Sequence, residues 1–191
     1  MPITINGSGT VTGVSVGGLP DGIVDTDMLA NNAVTSAKST ITGGKVLQVV
    51  HATATSEVSV DSETFTDSGL SASITPSSTS NKIMVLVSQN YYNVRSFREG
   101  FCGIQLLRDS TVIATESEKT NGSYMYVNAG NSFNWNHGGR WVIQYLDSPN
   151  TTSSITYKTQ ARVHTTSNSA TVQLQYDGAA PSYITLMEIA G

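Results

Sequence analysis

A stretch near the middle of the chain is apolar on both of the faces that a β-strand would present. Side chains alternate along a strand, so Ile83, Val85 and Val87 point one way while Met84 and Leu86 point the other. A strand with one face in water would alternate apolar and polar residues instead. This stretch is therefore predicted to be a sandwich strand with apolar material covering each of its faces.

Two stretches nearer the C-terminus have the same double pattern. Residues 140–147 place three apolar side chains on one face and two on the other: Trp141, Ile143 and Tyr145, then Val142 and Leu146. Residues 183–190 place two apolar side chains on one face and three on the other: Ile184 and Leu186, then Tyr183, Met187 and Ile189. Three strands of this kind leave one apolar face without an obvious cover.

We expect other copies of the chain to cover that face, because large exposed apolar patches are rare on soluble monomers. A closed arrangement around a three-fold axis would do so. The residues predicted for this oligomer interface come from two of the strands: Met84, Leu86, Ile184, Leu186 and Met187. The alternative is a monomer in which loops or residues 1–44 cover the face.

Composition and turn spacing predict an all-β fold. Of the 191 residues 38% are hydrophobic and only 13% are charged, and Ser and Thr are abundant where helix formers are scarce. Turn residues separate short runs into eleven predicted strands: residues 45–54, 57–60, 64–75, 81–90, 102–109, 111–116, 123–127, 139–147, 154–163, 170–176 and 182–190. This spacing predicts an antiparallel, jelly-roll-like β-sandwich over residues 45–191.

Residues 1–44 differ from the rest of the chain. They are rich in glycine, lack aromatic residues, and offer only two short alternating runs, 3–5 and 10–12, with a poor helix through 28–30. Such a segment cannot bury much apolar surface alone, so it is either disordered or ordered by docking onto something else. We expect an extended segment that docks. Gly43 and Gly44 mark the predicted boundary.

The residues that carry chemistry in enzymes do not form a convincing site, so we expect neither a catalytic activity nor a cofactor. The histidines are far apart, and the single cysteine, Cys102, is interpreted as a small buried hydrophobe. The acidic run at 21–27 is interpreted as a solvated turn rather than a calcium loop. With a net charge of −4 and no basic patch, nucleic acid is not an expected partner.

No stretch of the sequence predicts secretion or membrane insertion. The start of the chain lacks the pattern of a signal peptide. The longest apolar run, residues 83–87, is far shorter than a membrane span. We therefore expect the protein to be made and assembled in a cytoplasm.

An aromatic and amide-rich set is the one candidate for surface recognition. Rings stack on sugar faces or on protein partners, and amides hydrogen-bond hydroxyls. The candidate residues come from two segments: Tyr91, Tyr92, Arg95, Trp135 and His137. They predict contact with a glycan or a protein on a host surface. The alternative is that the rings fill the sandwich or the seams between copies.

Several patches of the sequence resemble a module of tailed-phage virion proteins, especially those of marine and cyanobacterial phages. The patches are residues 67–83, 144–149, 156–162 and 184–191, and residues 18–34 look like the linker that precedes such modules. The resemblance implies a structural protein of a bacteriophage virion: a trimeric appendage of the tail-fibre type whose sandwich head attaches to the host. It supplies no catalytic residues.

The resemblance also implies that residues 1–44 join the head to other virion proteins, of the tail or the capsid. The residues predicted to anchor it are apolar: Ile23, Val24, Met28 and Leu29. The chain is short for a tail fibre and has one head, so the alternative is a capsid decoration, cement or head-fibre protein docked on the shell through residues 1–44. A free glycan-binding module or hydrolase is a third hypothesis.

Overall fold

A computed structural model describes residues 4–5, 11–12, 45–95, 99–116, 123–126, 135–163 and 170–191. The chain divides into two compact units, Met1–Thr42 and Gly43–Gly191. In the first unit, β1 (Thr4–Ile5) pairs antiparallel with β2 (Val11–Thr12). The helix predicted through residues 28–30 and the anchoring residues at 23–29 lie outside the described residues.

The second unit contains the remaining strands. They are β3 (Val46–Ala54), β4 (Val58–Val60), β5 (Thr66–Ile74), β6 (Lys82–Arg95), β7 (Glu99–Arg108), β8 (Thr111–Glu116), β9 (Ser123–Tyr126), β10 (Trp135–Asp147), β11 (Ile155–Val163), β12 (Thr171–Leu174) and β13 (Ser182–Ile189). A short 3₁₀ turn, Tyr176–Gly178, follows β12. Each predicted strand corresponds to an observed one, with ends that differ by a few residues.

Two antiparallel sheets make up this unit. In the first, called the β6 sheet, β6 pairs with β10 on one edge and with β13 and then β12 on the other, while β3 and β4 lie outside β13 and β12. In the second, called the β7 sheet, the order is β5-β11-β7, with β8 and β9 pairing along the far edge of β7.

Early strands pair with late ones in both sheets. The first long strand, β3, pairs with the last, β13, and β5 pairs in the same nested manner with β11. This is the pairing of a jelly roll. The all-β antiparallel sandwich predicted from the sequence is therefore confirmed. It forms because each sheet has an apolar inner face that the other sheet covers.

The core lies between the two sheets. From the β6 sheet, Ile83, Val85 and Val87 are at most 2% exposed, and from the β7 sheet Leu70 and Ile104 meet them at no more than 1% exposed. Full burial of each such side chain stabilises the fold by about 1.5–3 kcal/mol. The two-faced alternation predicted for β6 is confirmed, since Met84 and Leu86 point away from this core.

A fully buried polar network also joins the sheets. Gln89 Nε2 donates to Ser182 Oγ at 2.9 Å, and its Oε1 accepts from Thr159 Oγ1 at 2.8 Å. Thr159 in turn contacts Ser68 Oγ at 2.5 Å. The Gln175 amide oxygen accepts from Gln89 Nε2 at 2.6 Å. All five side chains are 0% exposed, and each buried polar group is stable there because it has partners.

One ion pair ties the edges of the two sheets together. Arg108 Nη1 lies 2.8 Å from Asp147 Oδ2, and the Tyr157 hydroxyl donates to the same oxygen at 2.6 Å. Burial, together with the hydrogen bond to Asp147, raises the pKa of Tyr157 well above its ordinary value. The Tyr157 hydroxyl is therefore a donor to Asp147 at neutral pH.

A buried carboxylate fixes the connection between the sheets. Glu188, 1% exposed at the end of β13, accepts hydrogen bonds from Gln48, Ser77 and Asn81 over 2.5 to 2.8 Å. Burial alone raises the pKa of Glu188, but these hydrogen bonds more than offset it and lower the pKa to about 2. Ser77 and Asn81 belong to the segment 75–81, and Gln48 on β3 also donates to Thr75 O at 2.8 Å. Glu188 therefore holds the turn that carries the chain from β5 to β6.

Candidate interaction surface

The outer face of the β6 sheet carries a row of four apolar side chains. Strand register places Leu146 opposite Met84, Met84 opposite Met187, and Met187 opposite Val49. Directly paired residues share a face of the sheet, so the four side chains form one line across β10, β6, β13 and β3. Leu146 is 47% and Val49 57% exposed, and the two methionines are half-buried. We call this line the apolar row.

Further apolar side chains lie on the same sheet near the apolar row. Leu86, half-buried, lies in the next row of β6, and Val142 on β10 is 62% exposed. On the edge strand β3, Val46 and Leu47 are 46% and 41% exposed. Exposed hydrophobic residues that occur singly are ordinary on a protein surface, but a contiguous group of them marks an interaction site.

The residues predicted for an oligomer interface fall on two faces. Met84, Leu86 and Met187 lie on the outer face beside the apolar row, where a partner can reach them. Ile184 and Leu186 are 0% exposed because they fill the core between the two sheets. The interface prediction is therefore corrected to exclude Ile184 and Leu186, whose apolar character is explained within one chain.

The other end of the outer face is aromatic. Tyr92 stacks on Tyr176 with ring centroids 4.2 Å apart, and His51 stacks on Tyr183 at 5.8 Å. The Arg140 guanidinium lies 5.5 Å from the centre of the Tyr183 ring. The outer face thus has two zones, an apolar end and an aromatic end.

Strand pairing brings the predicted recognition residues to one end of β6 and β10. Arg95 pairs with Trp135 through the backbone, and Tyr92 pairs with Gly138. The side chains of Arg95 and Trp135 lie outside the described part of the structure. The half-buried Tyr92 is on the outer face, so it is available to a ligand.

Tyr91 is not a surface residue, contrary to the prediction. It is 7% exposed, stacks on Trp141 at 4.3 Å between ring centroids, and lies 3.4 Å from Nε2 of the half-buried His137 through its hydroxyl. A Cβ at Gly139 would lie 2.7 Å from that hydroxyl, so glycine opposite Tyr91 makes room for the ring. The Gly138–Gly139 pair is the sequence signal that could have indicated this burial.

The described carboxylates offer no obvious chemistry. Glu188 and Asp147 are each buried and occupied by donors within the chain. Within the described ranges, no group of three or more His, Cys, Asp or Glu residues could hold a metal ion. Cys102 is buried, as predicted, and its thiol donates to Asn93 Oδ1 at 3.0 Å. The acidic run at 21–27 lies outside the described residues.

No helix formed by the described residues is long and apolar enough to cross a membrane. What the chain does offer, in the part that the structure describes, is a two-zoned sheet face suited to contact with another molecule.

Comparison with known proteins adds structural neighbours of low similarity. No protein-family model matches the chain, and no curated protein matches it. A chain of the T13 particle of infectious bursal disease virus is 11% identical, with a TM-score of 0.37, over 76% of this chain and 38% of its own. For the VP2 subviral particle of that virus the values are 12%, 0.36, 74% and 39%.

These neighbours are proteins of viral particles, and the chain spans less than half of their length. TM-scores this low give the likeness no weight in deciding what the chain does.

Proposed function

We propose that the chain is a structural protein of a bacteriophage virion, a homotrimeric surface appendage of the tail-fibre type. The sandwich unit presents a face to the host surface, and residues 1–44 dock on other virion proteins through Ile23, Val24, Met28 and Leu29. The resemblance of four sequence patches to tailed-phage modules supports the virion role. The apolar row is the single observation that supports self-association.

The apolar row favours a second copy of the chain as its cover. The row crosses four adjacent strands, so its partner must present an equally broad apolar surface, and the chain itself supplies one. Every copy carries the same row, so a symmetric ring removes all rows from water at once. The apolar area buried in this way is the driving force for association.

Light scattering of the full chain after size-exclusion chromatography tests the assembly. We expect about 61 kDa, three times the 20.2 kDa of one chain. Val49→Glu places an unpaired carboxylate in the row, and we expect the trimer to dissociate at concentrations where the wild type stays assembled, with association weakened roughly tenfold or more.

Val112→Glu is the matched control. Val112 lies on β8 of the opposite sheet and is 46% exposed, close to the 57% of Val49. This variant should assemble like the wild type. A wild-type chain that stays at 20.2 kDa at high concentration would contradict the trimer.

A capsid decoration protein is the second candidate, since the described residues form a single sandwich head. Gold-labelled antibody against the chain, applied to particles made by the genome that encodes it, separates the two. Label at the tail tip supports the appendage, and label spread over the head supports decoration. Particles without label would contradict the virion role itself.

Attachment is tested separately. Purified chain added to host cells should occupy their surface sites and slow adsorption of the particles. Unchanged adsorption at saturating protein would contradict the attachment role while leaving the virion role intact.

A further inference from the structure

The turn after β12 has an unusual backbone. Gln175, Asp177 and Gly178 have φ values of 52°, 55° and 62°. The left-handed region suits glycine, but residues with a Cβ enter it only when their surroundings hold them there. Two such residues within three positions indicate a turn whose shape is imposed by its contacts.

The contacts that hold the turn involve both the buried core and residues at the surface of the sheet. The Gln175 side chain is 0% exposed and belongs to the buried polar network with Gln89 and Ser182. Tyr176 N donates to Asn90 Oδ1 at 3.2 Å, and Asp177 N donates to Glu57 Oε2 at 2.8 Å. The turn is therefore tied to the sheet on each side of Tyr176, which fixes where that side chain emerges.

The Tyr176 ring is the outer member of a pair of stacked aromatic rings. It is 39% exposed, and its ring stacks on Tyr92 at an interplanar angle of 21°. Tyr92 is itself packed over Gly138, where a Cβ would lie 3.2 Å from the Tyr92 ring. Neither phenol hydroxyl makes a hydrogen bond within the described residues, so each is available to a ligand. We call Tyr92 and Tyr176 the tyrosine platform.

The polar groups beside the tyrosine platform narrow the ligand class. Glu57 accepts from Gln173 Nε2 at 3.0 Å as well as from Asp177 N, which places a carboxylate next to the turn. Asp177, exposed, adds a second. Arg140 on the same face is directed to Ser88, with Nη1 3.2 Å from Oγ. The two carboxylates beside the turn oppose the binding of phosphate, sulfate and carboxylate ligands there, whereas the Arg140 charge lies toward the Tyr183 ring.

The small size of the tyrosine platform narrows the class of ligand further. Two stacked rings are far smaller than the roughly 800 Å² per partner that a stable protein interface buries. A flat apolar ring with hydroxyls at its margin matches a pyranose, which has a C–H face and hydroxyls around it. We propose that the tyrosine platform binds a neutral or N-acetylated hexose unit of a polysaccharide, stacked on Tyr176. This deepens, and rests on, the attachment role proposed above.

Binding of the full chain to immobilised oligosaccharides of glucose, galactose and N-acetylglucosamine, and to their sulfated counterparts, tests the assignment. We expect at least one neutral or N-acetylated oligosaccharide to bind, and its sulfated counterpart to bind at least about tenfold less. Tyr176→Ala should lower the affinity tenfold or more, while Tyr176→Phe, which keeps the ring, should lower it only a few-fold.

Tyr183→Ala is the matched control, because Tyr183 lies on the same face but stacks on His51 rather than on the tyrosine platform. It should bind like the wild type. Equal loss in Tyr183→Ala and Tyr176→Ala, a preference for the sulfated ligands, or silence on every sugar would each overturn the proposal.

The adsorption assay distinguishes this failure from failure of the attachment role. If the chain binds no sugar yet still slows adsorption, the sugar assignment falls and attachment stands. If Tyr176→Ala also loses its effect on adsorption while Tyr183→Ala keeps it, both are supported. Light scattering of each variant checks that assembly is unchanged.

Discussion

The outer faces of the two sheets differ although their inner faces form one core. On the β7 sheet, Lys158 pairs with Asp67 at 2.9 Å, Gln160 donates to the same carboxylate at 2.6 Å, and Gln105 donates to Gln160 at 2.7 Å. On the β6 sheet, the equivalent surface carries the apolar row. The first face is polar, and the second carries a line of apolar side chains that neither sheet covers.

This difference teaches where the chain keeps apolar surface beyond what its core needs. A sandwich requires one apolar face per sheet. The β7 sheet meets that requirement, and its strands β5 and β11 alternate cleanly between core-facing and outward residues. The β6 sheet exceeds it, and the excess lies on contiguous positions of neighbouring strands rather than at scattered ones.

The largest expected effect separates the two faces of β13. Leu186→Ala opens a cavity in the core and should lower the free energy of unfolding by about 3 kcal/mol at any protein concentration. Met187→Ala removes an outer-face side chain, so its cost should depend on protein concentration, because it acts through assembly. Urea denaturation at two protein concentrations measures both. A concentration-independent cost for Met187→Ala would contradict a role for Met187 in assembly.

The next effect concerns Glu188, a carboxylate buried behind the apolar row. Because the folded pKa of Glu188 is lowered to about 2 from an ordinary 4.5, its contribution to stability is complete above pH 4.5 and is lost as the pH falls toward 2. The contribution amounts to about 3 kcal/mol. Unfolding of the wild type and of Glu188→Gln, followed from pH 7 to pH 2, should show a steeper pH slope for the wild type. Equal slopes would mean that Glu188 is not held ionised.

The smallest effect is on the polar face. Hydrogen bonds from Lys158 and Gln160 lower the pKa of Asp67, but the Asp67 side chain is 57% exposed. Lys158→Ala should therefore cost about 0–1 kcal/mol in the free energy of unfolding, and less at high salt. Denaturant midpoints at low and high salt test this. A loss above that range would show that this face contributes to the fold rather than to solubility.

Much of the fold could be predicted from the sequence because strand alternation reports the two faces directly. The sequence correctly placed Ile83 and Met84 on opposite faces of β6. Which side of β13 faces the core could not be decided, because Leu186 and Met187 are equally apolar. The burial of Leu186 in the core and the pairing of Met187 with Met84 across the sheet settle it.

The recognition residues were harder to predict because burial of a ring depends on what lies opposite. Tyr91 and Tyr92 are adjacent and identical in type. Gly139 leaves room for the Tyr91 ring in the core, whereas the alternation of the strand places Tyr92 on the outer face. Tyr176 was missed because its position depends on a left-handed Gln175, which is not a residue that ordinarily indicates such a turn. The sequence signal for this turn was the presence of polar residues at core positions, such as Gln89, which belongs to the buried polar network with Gln175.

The position of β13 between β3 and β6 has a consequence for synthesis on the ribosome. The strand at the centre of the sheet is translated after both of its neighbours, so a nascent chain must keep two unpaired strand edges in water until residues 182–189 emerge. Contacts between such distant parts of a chain form slowly. Folding of the sandwich is therefore a late, concerted event, and the chain is most exposed to aggregation immediately before it.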